Sequence, residues 1–85
     1  MKTVRIYTTP FCPYCARAKS LLAKKHVPLD EVDVMMDQAA RAEMMERSGG
    51  ARTVPQIFIG DTHVGGSDEL YALEREGRLD PLLET

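Results

Sequence analysis

Cys12 and Cys15 stand two residues apart, with Pro13 and Tyr14 between them. On a helix a separation of three positions is close to one turn, so the two sulfurs share a face and come within disulfide reach. A thiolate, not a thiol, attacks a disulfide, and a redox cysteine therefore needs both a stabilised negative charge and access from solvent. Cys12 has both if a helix starts beside it, because a first turn presents unpaired backbone N–H groups and the positive end of the helix dipole. Pro13 suits that turn, where its missing N–H costs nothing. Cys15, nearly a turn further in, is then the more buried sulfur. The pattern makes Cys12 the nucleophile and Cys15 the resolving thiol. Two other uses of such a pair exist. Free cysteines often serve as small buried hydrophobes. A zinc or iron–sulfur centre needs four ligands, of which this pair supplies two, and neither His26 nor His63 has zinc-finger spacing to it; a metal would call on a second chain or bound thiols.

The elements around the pair are legible from periodicity. Val4–Thr8 alternates and is rich in β-branched and aromatic residues, which predicts a first strand ended by Pro10. From about residue 15 to 25, Cys15, Ala18, Leu22 and Lys25 fall on one helical stripe, so the cysteines lie at a strand-to-helix turn. Pro28 ends that helix, and residues 29–34 predict a second strand, parallel to the first because a helix makes the crossover. Asp37 is placed to cap a polar, surface-lying helix running to about Arg47, with Ser48-Gly49-Gly50 as its stop. Residues 56–59 and 62–64 flank Gly60-Asp61 as a hairpin. Ser67 or Asp68 caps a third helix carrying Leu70 and Leu73, and Leu79, Leu82 and Leu83 dock the tail. The order βαβ, α, ββα describes an α/β domain without repeat, linker or low-complexity segment.

Composition narrows the function. A chain of 85 residues is expected to form one domain over 1–85, and 44% hydrophobic and 28% charged residues are values of a folded protein. A net charge of -2 offers no basic surface for a nucleic-acid backbone. The first residues carry no apolar run after their charges, so neither signal peptide nor membrane span is expected, and a cytoplasmic, reducing setting fits a lone Cys-x-x-Cys.

Three segments carry a resemblance. Cys12-Pro13-Tyr14-Cys15, Thr53-Val54-Pro55 and Gly65-Gly66-Ser67-Asp68 resemble, in order and at similar separations, the signature segments of bacterial dithiol glutaredoxins, within the thioredoxin-like superfamily. Thioredoxin itself is a poorer match, since its site carries a tryptophan beside Cys-Gly-Pro-Cys and this chain has none. Monothiol glutaredoxins, with Cys-Gly-Phe-Ser, are set aside by Cys15. The resemblance implies a thioredoxin-like fold with a four-stranded mixed sheet flanked by three or more helices. It also implies an enzyme that reduces protein disulfides and glutathione mixed disulfides, with glutathione as co-substrate and no tightly bound cofactor.

The resemblance further implies a cis Val54–Pro55 bond facing the cysteines, with the Val54 backbone free to pair with an extended substrate. The glutathione site it implies comprises Tyr14, Thr53, Val54, Pro55, Gly66, Ser67 and Asp68. There the γ-glutamyl carboxylate meets the Ser67 and Asp68 backbone, and the Asp68 carboxylate faces the ligand's ammonium group. A helix start suits a carboxylate, although the same residues can cap a helix without any ligand, and Pro55 can be a turn proline opening a strand. One position departs from the pattern: many members carry lysine three residues before the first cysteine, where it meets the glycine carboxylate of glutathione, and here Thr9 stands there. Arg41 and Arg52 are candidates to replace it, since guanidinium binds carboxylate well. Met35, Met36, Met44 and Met45 read as flexible packing groups, not metal ligands. The expected partners are glutathione and disulfide-containing or glutathionylated proteins, met by a monomer, with no metal, nucleic acid or membrane. A redoxin served by a reductase protein and an iron–sulfur cluster-binding module are the alternatives.

Overall fold

β1 (Val4–Thr8) is an inner strand of a four-stranded mixed sheet, lying between β2 (Leu29–Asp33) and β3 (Gln56–Ile59), with β4 (Thr62–Gly65) at the far edge. The structure, a computed structural model, describes residues 1–84. Inner strands are covered on both faces, and their residues follow suit: Val4, Ile6 and Tyr7 of β1 and all of β3 are buried, whereas β2 and β4 bury none. β1 and β2 are parallel, from Val4 opposite Leu29 to Thr8 opposite Asp33, because α1 (Pro13–Lys24) carries the chain back over the sheet. β3 runs antiparallel to β1, with Val4 opposite Ile59 and Tyr7 opposite Gln56. β3 and β4 form the expected hairpin, turning at Gly60, whose φ of 58° is the left-handed conformation such turns require.

Strand side chains alternate between faces, and this alternation splits the core in two. Val4, Ile6, Ile57 and Ile59 point to α1, α3 (Ser67–Arg75) and α4 (Leu79–Leu83), where they meet Ala18, Leu21, Leu22, Leu70, Leu79 and Leu83. Tyr7 and Phe58 point the other way, to Val34 and to Met44 of α2 (Gln38–Arg47). The buried Tyr7 hydroxyl donates to Glu43 at 2.5 Å and accepts from Arg47 at 3.3 Å, which satisfies it and ties α2 to the sheet. Asp37 caps α2, accepting the Ala40 N–H at 3.0 Å.

Three expectations need correction. The cap of α3 is Gly66, neither Ser67 nor Asp68: Gly66 is extended, Ser67 is already helical, and Glu69 Oε1 reaches back to accept the Gly66 N–H at 2.7 Å. Met35 and Met36 do not pack but lie in the open loop between β2 and α2, Met36 at 88% exposure; Met44 and Met45 do pack. Lys25 leaves the buried stripe of α1 to cap it, with its ammonium 2.8 Å from both Glu74 and Asp80, and Leu21 joins the stripe instead. α1 begins at Pro13, in the first turn as expected, with Cys12 just before it.

Candidate active site

The strand register gathers the site at one end of the sheet. β1 finishes at Thr8, opposite the end of β2 at Asp33; β3 starts at Gln56, opposite Tyr7; and β4 finishes at Gly65, opposite Ile57. The chain therefore leaves or enters the sheet at this end four times, bringing the Cys12 turn, the Val54–Pro55 turn and the start of α3 together.

Cys12 is the N-cap of α1, with extended backbone, and Pro13 follows at the first helical position. Its sulfur takes the place usually held by a serine or aspartate oxygen, accepting the Cys15 N–H at 3.2 Å. The sulfur thus sits at the positive end of the helix with an N–H aimed at it. Cys12 is half-buried and Cys15 is 1% exposed, and both are free thiols. Burial, followed by the hydrogen bond to the Cys12 sulfur, pushes the Cys15 thiol up to about 11; a backbone hydrogen bond from Thr9 and the charge of Lys19 pull the other way. The pair thus carries an accessible sulfur that has a charge-stabilising donor and an inner sulfur that holds its proton. The preceding Phe11 has φ of 64° and is 97% exposed, a side chain turned wholly to solvent beside the nucleophile.

The Val54–Pro55 bond is cis, and the Val54 carbonyl lies 4.0 Å from the Cys12 sulfur. Thr53, Val54, Pro55, Tyr14, Gly66, Ser67 and Asp68, seven residues singled out above, line one cleft of about 290 Å³ together with Gln56 and Glu69. Gln56 braces its wall, donating to the Thr53 carbonyl at 3.0 Å and pairing with His63 Nε2 at 2.7 Å. At the start of α3 the Gly66 N–H is taken by Glu69, leaving the first-turn N–H groups beyond it as donors. Ser67 is 4% exposed, and its hydroxyl has no hydrogen-bond partner among the described residues. Asp68 is exposed at the mouth. The cleft thus offers donors for an anionic group and, on Asp68, a carboxylate for a cationic one.

A second cleft, of about 440 Å³, is lined by Cys12, Cys15, Thr9, Lys19, Glu31 and Asp33, among others. Lys19 and Thr8 both donate to Glu31, at 2.9 and 3.0 Å, and the ammonium of Lys19 holds that carboxyl below its usual range. Arg41, on α2, and Arg52, beside Thr53, line neither cleft. Sequence reasoning missed Glu69, Gln56, Lys19 and Glu31. Glu69 had a signal, the capping-box spacing of three from Gly66. The other three acquire meaning only from strand pairing and packing. No three His, Cys, Asp or Glu side chains gather into a metal-holding group among the described residues. No described helix is long and apolar enough to cross a membrane.

Comparison with known proteins agrees with this geometry. The family model described as Glutaredoxin matches residues 4–64. Glutaredoxin 3 of Escherichia coli K12 is 54% identical over 84 residues, covering 99% of this chain and 100% of the relative. The solution structure of glutaredoxin from Brucella melitensis superposes with a TM-score of 0.85 at 61% identity, over 100% of this chain and 91% of that one. The crystal structure of a buckwheat glutaredoxin–glutathione complex gives a TM-score of 0.84 at 30% identity, over 94% of this chain and 74% of that one. The fold is thioredoxin-like.

Proposed function

Since the chain belongs to the glutaredoxin family, we propose that it is a glutathione-dependent thiol–disulfide oxidoreductase that reduces glutathione mixed disulfides and protein disulfides through Cys12 and Cys15. The observation that carries this reading is the inequality of the two sulfurs: Cys12 is accessible and accepts an N–H at a helix start, while Cys15 is enclosed and holds its proton.

The Cys12 thiolate attacks one sulfur of the substrate disulfide, forming Cys12–S–S–R and releasing the other half as a thiolate that takes up a proton. Resolution has two routes. Where R is glutathione, a second glutathione can attack its sulfur, forming glutathione disulfide and releasing the Cys12 thiolate; otherwise the Cys15 sulfur can displace R as its thiol and close a Cys12–Cys15 disulfide, which two glutathione molecules then reduce, leaving glutathione disulfide. For this class the reduction potential is about −200 to −230 mV, near the cytosolic glutathione poise, so turnover runs either way with the pool.

Glutathione is held, in this reading, in the cleft of Tyr14, Thr53, Val54, Pro55, Gly66, Ser67 and Asp68. Its γ-glutamyl carboxylate meets the first-turn N–H groups of α3 and the unpaired Ser67 hydroxyl, its ammonium meets Asp68, and its cysteine segment lies along the Val54 backbone beside Cys12. Two features support this: the cleft joins donors to the exposed Asp68 carboxylate, Glu69 being engaged by the Gly66 N–H, and the buckwheat relative is a glutathione complex. The protein works as an 85-residue monomeric domain in the cytoplasm, with no resident cofactor. The deciding assay supplies a glutathione mixed disulfide with glutathione, glutathione reductase and NADPH, and in parallel a protein disulfide with thioredoxin reductase and NADPH. Turnover in the first and none in the second is expected. The reverse result would make the chain a redoxin served by a reductase protein.

A further inference from the structure

Lys19 lies four residues beyond Cys15, and residues at that spacing share a helix face. Both line the larger cleft. The ammonium is fixed from across that cleft: Glu31 of β2 accepts from Lys19 at 2.9 Å and from Thr8 of β1 at 3.0 Å, so three elements hold one charge in place. Among the described residues that line either cleft, Lys19 is the sole cationic side chain.

We propose that Lys19 stabilises the Cys15 thiolate in the resolving step, with Glu31 and Thr8 as the residues that position its ammonium; the proposal rests on the dithiol reading above. In that step the Cys15 thiol gives its proton to water, and its sulfur attacks the Cys12 sulfur of Cys12–S–S–R. The Cys12–Cys15 bond forms, the bond from Cys12 to R breaks, and R leaves as a thiolate that takes up a proton. The two cysteines are oxidised by two electrons and the substrate disulfide is reduced by the same two.

The need for a cation arises at that moment. While Cys12 is a free thiolate its charge helps to keep Cys15 protonated; once Cys12 is tied into a mixed disulfide that repulsion is gone, and burial is the obstacle that remains. The charged and titratable groups facing Cys15 are Cys12 and Lys19 from α1 and Glu31 and Asp33 from β2, while Asp68 of α3 opens on the other cleft. Asp33 is committed to the Met35 N–H at 2.8 Å and Glu31 to Lys19 and Thr8. A positive charge one turn away in a half-wet cleft moves a thiol by about half a unit to one unit.

The alternative is an ordinary surface ion pair joining α1 to β2, worth little to anything but stability. Ultraviolet absorbance of the Cys15 thiolate across pH, in a Cys12→Ser background and referenced to the same chain carrying Cys15→Ser as well, separates the two and needs neither glutathione nor reagent access to the enclosed sulfur, so it stands apart from the assay of glutathione dependence. Lys19→Gln is expected to raise the Cys15 midpoint by about half a unit to one unit, and Lys19→Arg to keep it. With both cysteines present, closure of the Cys12–Cys15 disulfide from a preformed mixed disulfide should slow about three- to tenfold near neutral pH in Lys19→Gln and recover in alkali. A midpoint unmoved by Lys19→Gln, even with a lowered Tm, or one moved equally by Lys19→Gln and Lys19→Arg, would overturn the proposal.

Discussion

Replacing Ser67 by alanine should move stability and ligand affinity in opposite directions. The Ser67 hydroxyl lies in a residue 4% exposed, at the first position of α3, with no hydrogen-bond partner among the described residues. A buried hydroxyl left unsatisfied costs about 1–3 kcal/mol, and part of that is recovered when the group is removed. Alanine is also the better helix former. Ser67→Ala is therefore expected to gain about 1 kcal/mol, which in a domain of this size raises Tm by about 4–8 °C. Bound glutathione reverses the sign. A hydrogen bond to an ionised carboxylate contributes about 1.5–3 kcal/mol, so its loss should weaken binding about tenfold or more. The assay pairs thermal unfolding of the free protein with KM for a glutathionylated peptide, kcat changing less because Cys12 is untouched. Lower Tm with unchanged KM would show that the hydroxyl is bonded within the fold, and the assignment of this cleft to the γ-glutamyl end would lose its structural support.

Three further outcomes follow from the same geometry. Cys15→Ser should keep substantial deglutathionylation and lose most dithiol-dependent disulfide reduction, while Cys12→Ser should lose both, because Cys15 at 1% exposure is too enclosed to attack in its place; measuring both activities for each variant, with matched circular dichroism, checks the assignment. The Cys15 thiol is raised in the folded state to about 11 from an ordinary 9.0, so its contribution to stability is whole below about pH 9 and is lost as pH rises towards 11. Urea midpoints across that interval should fall in the parent more than in Cys15→Ser, and parallel curves would contradict this. Asp68→Ala removes an exposed carboxylate at the start of α3, so the expected effects are a loss of glutathione affinity of about tenfold, reduced at high salt, and a stability loss below about 1 kcal/mol from the helix dipole. An unchanged KM in a folded Asp68→Ala variant would leave Asp68 as a helix-end charge only.

What could be read before the fold was known is local. The Cys12 turn, the Asp37 cap and the Gly60 turn were legible because each depends on two to four neighbouring residues whose backbone needs are strong. Gly66 escaped as a cap because the rule looks for a side-chain oxygen at the cap itself, whereas here Glu69 supplies it from inside the helix. Arg41 was chosen by charge and by its place near the start of α2; α2 packs through Met44 on the Tyr7 and Phe58 face of the sheet, and none of its residues lines either cleft. Along the chain Lys19 shows only a residue that favours a helix. Its position becomes specific only when parallel pairing brings Glu31 of β2 alongside β1, a consequence of register, which no window along the chain contains.

Register also explains why the two clefts differ in chemistry. The cleft beside α3 is walled by a turn and a helix start, and the first-turn N–H groups of that helix are backbone donors set by the fold, with the Ser67 hydroxyl and the Asp68 carboxylate added to them. The cleft beside β2 is walled by side chains from an edge strand that buries none of its residues, and its charges, Lys19, Glu31 and Asp33, can vary without disturbing the core. On the proposed reading, the cleft with the helix-start donors takes the co-substrate and the one walled by Lys19, Glu31 and Asp33 serves the resolving thiol, so recognition and rate fall on separate surfaces around the same two sulfurs. Substitutions at Glu31 or Lys19 are then expected to change the balance between the one-thiol and two-thiol routes more than they change affinity for glutathione.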